Sequence, residues 1–167
     1  MTTTLPHLLS PADLPAAELQ ALALDGDVYR IDELFCSVAE FDVPWRRAAA
    51  VHERGVLESG AVLARLSAAW VWGAVDGAPA LDEMARGSRD RLDELDRVDF
   101  GSVAVTAPAR TVVDLLREGG SRSGTLRAAG RLARLHRVDR AACEAALARC
   151  AHLPNARVAA SRLAAVL

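Results

Sequence analysis

Arg110 and Asp114 stand four residues apart in Thr106-Ala-Pro-Ala-Arg-Thr-Val-Val-Asp114, a spacing that puts a guanidinium and a carboxylate on one helix face. As an isolated pair they contribute only about 0.3–0.5 kcal/mol. Arg ahead of Asp is the weaker order, and an Arg in the first turn faces the positive end of the helix dipole. Local energetics therefore do not explain Arg110. The residue is expected to reach a carbonyl cluster, an acid elsewhere in the fold, or a partner, with a fold-holding role ahead of a binding one.

A second constellation is Arg127, Arg131 and Arg134, at i, i+4 and i+7, with Arg137 and Arg140 beyond. The Arg-rich stretch 117–140 that holds this stripe is the one credible nucleic-acid surface. Ala128, Leu132 and Leu135 line the neighbouring face and are expected to pack inward. No aromatic residue interleaves with the stripe, which weakens a stacking-based reading for RNA or single strands. A solvated helix face is the bland alternative, and it is favoured.

Other chemistry is thinly represented. His7, His52, His136 and His152 show no metal-ligand spacing, so no metal or other cofactor is expected. All 20 basic residues are Arg. A P-loop lysine, a Schiff-base lysine and the lysine of the usual restriction-type nuclease triad are thereby excluded. Gly87-Ser88 is similar to a nucleotidyltransferase "GS" motif, but no Asp-x-Asp follows at usable spacing. No catalytic residues are assigned, and a non-enzymatic protein is expected. Cys36, Cys143 and Cys150 form no disulfide framework: Cys143 and Cys150 lie about 10 Å apart along one helix, beyond disulfide reach.

These residues need elements to hold them. Pro15–Leu24 reads as a helix started by Asp13 and Pro15 and stopped by Asp25-Gly26. Val28–Ile31 and Leu34–Ser37 read as short strands around Asp32-Glu33. Pro44–Arg54 makes a helix ended by Gly55. Ala61-Val-Leu63 reads equally as a strand or as the first turn of the helix carrying Trp70 and Trp72, which Gly73 terminates. The two Trp residues lie about 200° apart around that helix. One core and one half-exposed Trp, or two core Trp residues, are the competing outcomes, the second being the commoner. Residues 76–101 read as charged loop with one or two edge strands.

Val103–Thr106 alternates as a strand and turns at Pro108 into a helix. Ala107 leaves that helix without a side-chain cap, a loss of about 1 kcal/mol, for which Thr106 is the nearest substitute. Gly119–Gly124 is a break and the best internal boundary. Three helices follow at about 125–136, 139–150 and 154–166, Val138-Asp139 capping the second and Pro154 standing at the start of the third. The expected fold class is α+β, mostly helical, with small sheets or hairpins and a C-terminal three-helix segment. The organisation is 1–43, 44–118 and 119–167, the last forming one compact domain with the core.

Ser67-Ala-Ala-Trp-Val-Trp-Gly73 and Val103-Ala-Val-Thr-Ala-Pro-Ala-Arg-Thr-Val-Val-Asp-Leu-Leu116, in this order, resemble the AbiEi-type antitoxin and transcriptional-regulator family of bacterial type IV toxin–antitoxin systems. The resemblance covers residues 59–118 well and the flanks loosely. Ala107 departs from it, standing where the family has Ser or Thr. It implies a winged-helix DNA-binding module ahead of the core. Residues 15–37 are similar to the last helix and wing of such a module, with nothing before them to supply its first two helices.

Charge speaks against a DNA role for that remnant. Residues 1–43 carry eight acids and one Arg, a net −7, and residues 110–167 carry eleven Arg and four acids, a net +7. A −7 segment is repelled by phosphate, so weak or absent duplex binding is expected. The asymmetry either steers a partner or lets the two ends lie against each other. With no leader sequence and no apolar run able to span a bilayer, a cytoplasmic protein without membrane contact is expected. The function expected is a non-catalytic antitoxin-like regulator. Its partner would be a nucleotidyltransferase-like toxin or that toxin's nucleic-acid substrate. A DNA-binding transcriptional autorepressor is the alternative.

Overall fold

The computed structural model describes residues 6–55, 57, 60–80, 84–85, 92–118 and 123–167. The class is α+β, with seven helices and two small sheets among the described residues. Helix α1 (Ala16–Asp25) ends at Gly26, whose φ of 83° is the left-handed conformation that a C-terminal stop requires. The hairpin β1 (Val28–Ile31) and β2 (Leu34–Ser37) follows, turning at Asp32-Glu33. Leu9 bridges to Phe35, and Leu9, Leu19, Val28 and Phe35 form a small core shared by helix and hairpin.

Helix α2 (Pro44–Glu53) starts on Pro44, where a missing N–H costs nothing. Strand β3 (Val62–Leu63) resolves the ambiguity at 61–63 in favour of a strand, and α3 (Arg65–Val71) begins after it. Beyond β4 (Met84–Ala85), a single 3₁₀ turn at Glu94–Asp96 leads into β5 (Arg97–Phe100) and β6 (Val103–Thr106). The sheet order is β4-β3-β6-β5; β6 runs parallel to β3 and antiparallel to β5.

Helix α4 (Pro108–Arg117) occupies the middle of the molecule, against α3, α5 (Ser123–Leu135), α6 (Arg140–Arg149) and α7 (Ala156–Val166). Seven consecutive residues, Arg110–Leu116, are buried, so α4 has no solvent face there. Thr111, Val112 and Val113 are poor helix formers, and burial on all sides overrides that preference. The main core runs from Ile31 through Leu63, Trp70, Val105 and Leu115 to Leu132 and Leu163. The C-terminal helices therefore share one core with the sheet.

Local expectations fare differently from one another. The proposed break at 119–124 lies outside the described residues up to 122, and Ser123 and Gly124 belong to α5. The cap expected at Asp139 is present: its side chain accepts from the Ala142 amide at 2.8 Å at the start of α6. Thr106 does not replace the missing cap at Ala107: its hydroxyl meets the Thr111 hydroxyl at 2.7 Å instead.

Candidate functional site

Trp70 and Trp72 are both buried, the outcome of two core Trp residues. The Trp72 indole N–H donates to the Thr106 carbonyl at 2.8 Å, and His136 and Phe100 pack edge-on against its ring. His136 also bonds the Trp72 carbonyl through Nε2 at 2.8 Å. On the other side of α3, the Arg47 guanidinium lies against Trp70 and donates to its carbonyl at 2.6 Å. The tryptophan motif is thus a joint between α2, β6 and α5.

Arg110 and Asp114 do pair directly, which the unfavourable local order argued against. Arg110 Nε donates to Asp114 Oδ1 and Oδ2 at 3.1 and 3.0 Å, with both side chains buried. A distant acid is present as expected: Arg110 Nη1 reaches Asp96 Oδ2 at 3.2 Å. Asp96 also receives Arg149, and Asp114 receives Arg117 Nη1 at 2.8 Å. Three guanidiniums and two carboxylates therefore alternate, from half-buried Arg149 through the buried Asp96, Arg110 and Asp114 to half-buried Arg117. Burial pushes the Asp114 carboxyl up, against the pull of Arg110 and Arg117. Burial also works against the charge on Arg110, but Asp114 and Asp96 outweigh it and its pKa is raised.

Asp96 is the residue that sequence reasoning missed. It lies in the charged stretch read as loop, yet it is 1% exposed and its carbonyl accepts the Ala107 amide at 2.8 Å. One residue thus supports both the backbone at the start of α4 and the cation inside it. The one signal for it was Arg110 itself, a cation with no adequate local partner.

The Arg stripe divides. Arg127 and Arg134 are exposed, and among the described residues neither has an ion-pair partner. Arg131 is half-buried and pairs with Asp76 at 2.8 Å. Ala128 and Leu132 pack inward as expected, whereas Leu135 is 54% exposed. It sits 80° from Arg127 around the helix, outside the buried arc. The face is therefore cationic with an apolar edge.

A cleft of about 700 Å³ opens beside the buried network, where α4 ends against the α6–α7 connection; Arg65, Arg117, Glu118 and His152 line it. Its cations are already engaged: Arg65 pairs with Glu118 at 3.3 Å, and Arg117 Nε donates to the Pro154 carbonyl at 3.0 Å. Among the described residues no group of His, Cys, Asp and Glu is placed to hold a metal ion. Gly87-Ser88 lies outside the described residues. No described helix is long and apolar enough to cross a membrane. Comparison with protein-family models, curated proteins and solved structures finds no match.

Proposed function

We propose that this chain is a non-catalytic, antitoxin-like regulator of a bacterial toxin–antitoxin system that acts through the Arg face of α5. The observation that carries the binding face is a contrast in availability. Arg110 and Asp114 are consumed inside the fold, while Arg127 and Arg134 stand exposed with no ion-pair partner among the described residues. The regulator family comes from the resemblance of the two motifs, which here form one buried joint.

An Arg face suits an anionic partner. Nucleotidyltransferase-like toxins act on nucleotides and nucleic acids, so the face would compete for that substrate or for an acidic toxin surface, and electrostatic steering would speed the encounter. The test is co-expression with an adjacent nucleotidyltransferase-like toxin gene. Growth should recover with the wild type. It should fail with Arg127→Glu, Arg131→Glu and Arg134→Glu together, folded by circular dichroism. Full rescue by that variant removes the Arg-face mechanism, and no rescue by the wild type removes the antitoxin reading.

The autorepressor is the second reading, and the shared small core of α1 and the hairpin favours it. Against it, α1 carries Glu18 and Asp25 with no cation, and Arg30 Nε turns onto the Asp32 carbonyl at 2.6 Å. Anisotropy on the upstream DNA should therefore find affinity no tighter than the nonspecific range of about 10⁻⁴–10⁻⁶ M.

A further inference from the structure

The −7 and +7 ends of the chain do not neutralise each other. Asp32, Glu40 and Asp42 pair with Arg54, Arg46 and Arg47 of the middle segment. Arg110, Arg149 and Arg131 pair with Asp96 and Asp76, again of the middle segment. Among the described residues no ion pair joins 1–43 to 110–167. Each end keeps its surplus on the surface.

At the acidic end the surplus shares its segment with three of the four most exposed large apolar side chains among the described residues. Leu24 is 88%, Phe41 83% and Val38 55% exposed. Two backbone bonds knit Leu24's turn to Val38: the Asp27 amide donates to the Leu22 carbonyl at 2.9 Å, and the Val38 amide to the Asp27 carbonyl at 3.0 Å. Leu24 and Val38 therefore flank Asp25 and Asp27, both exposed and without an ion-pair partner among the described residues. Asp25 closes α1, whose last turn holds no cation. A helix C-terminus disfavours an anion, so local energetics do not explain that carboxylate.

The basic end mirrors this composition. Arg127 and Arg134 project from α5, and Leu126 (39% exposed) and Leu135 (54%) border them on the two sides. Apolar anchors ringed by charge are the make-up of a protein interface. The absence of an exposed aromatic on this face leaves nothing for a base to stack on. Like charge forbids either end from meeting its own copy, whereas each end complements the other.

We infer that the chain associates with a second copy of itself, the Leu24–Asp25–Asp27–Val38 apex of one molecule docking on the Arg127–Arg134 face of α5 in the next. This contact goes beyond the antitoxin reading and does not depend on it. It sets up a regulation, since self-association covers the face that an anionic partner would need.

Sedimentation velocity on the full chain tests it without any toxin. Moving from about 0.1 M to about 1 M salt shortens the screening length from roughly 10 to 3 Å, and the association should weaken by about tenfold or more. Asp25→Arg with Asp27→Arg, and separately Arg127→Glu with Arg134→Glu, should each give a folded monomer. Mixing the two variants should restore association, because each reversed surface then meets its opposite. A wild type that is monomeric at low salt overturns the inference, as does self-association unaffected by both reversals or a mixture that fails to pair. Capture of RNA by a monomeric wild type also overturns it and assigns the face to nucleic acid.

Discussion

Trp72 and Thr106 are 34 residues apart in the chain and share one hydrogen bond, indole N–H to main-chain carbonyl at 2.8 Å, in the buried interior. The bond fixes the end of α3 against the end of β6, just before the chain turns into α4. The two stretches with recognisable sequence character are therefore one structural joint. Thr111 Oγ1 donates to the same carbonyl at 2.9 Å, so the acceptor has a second donor. Trp72→Phe should cost about 1–3 kcal/mol, from the lost bond and the smaller ring. Urea melts followed by far-ultraviolet circular dichroism check this, and a change of a few tenths of a kcal/mol would remove the joint's importance.

Asp96 has a larger predicted effect. Removing its carboxylate leaves Arg110 and Arg149 with a lost partner next to the core. Breaking a buried pair from one side typically costs about 3–5 kcal/mol, because the charge left behind is uncompensated. Asp96→Ala should fall in that range in a denaturant melt. Arg110→Ala and Asp114→Ala should then show strong coupling in a double-mutant cycle, since they touch directly. Additive single costs would mean that Asp96 and Arg117 already satisfy each partner alone.

These residues also show what the sequence made legible. Helix ends marked by local chemistry were readable, as at Gly26 and Asp139, because the signal and its effect lie within a few residues. The Val28–Ser37 hairpin was readable from alternation around a turn. Asp96 was not, because its burial depends on Arg110 and Arg149, 14 and 53 residues away. Leu135 reads as inward from sequence because a leucine beside a buried arc looks like core. Only the packing of α5 against α3 and α4 shows that the arc stops short of it.

Alkaline pH should destabilise the fold. Burial pushes the Cys143 thiol up to about 11 from its ordinary 9.0, and burial raises Cys150 as well. Burial and the neighbouring Cys36 raise the Tyr29 phenol above its usual 10.0. Each group is thus held protonated in the folded state while the unfolded chain ionises near the ordinary value. The Cys143 contribution is fully present below pH 9 and is lost as pH rises from 9 through 11, with Cys150 adding to the decline from 9.0 upward and Tyr29 from 10.0 upward. Melts from pH 7 to 11 should show that decline, and stability flat or rising across the window would contradict it.

Thiol chemistry follows from the same burial. Cys36, Cys143 and Cys150 are free and fully buried, and a thiol out of reach of solvent is out of reach of a dissolved reagent. Ellman's reagent should label none of the three in the native protein at pH 8 and all three in denaturant. Rapid native labelling of any one would show that its helix opens locally.

The Arg face makes the opposite prediction to the buried network. Arg127 and Arg134 are exposed with no ion-pair partner among the described residues, and Arg131 meets an Asp76 that is itself 85% exposed. Exposed pairs of that kind are worth about 0–1 kcal/mol, and surface changes away from special features stay within about 0.5 kcal/mol. Each single change of these three to Ala should therefore leave the denaturation midpoint nearly unchanged, whereas Asp96→Ala moves it strongly. That separation lets the face be altered without touching the fold, so a loss of binding in such variants reports on the surface. If Arg127→Ala or Arg134→Ala alone costs more than about 1 kcal/mol, α5 relies on its arginines for packing, and loss of binding would report the fold instead.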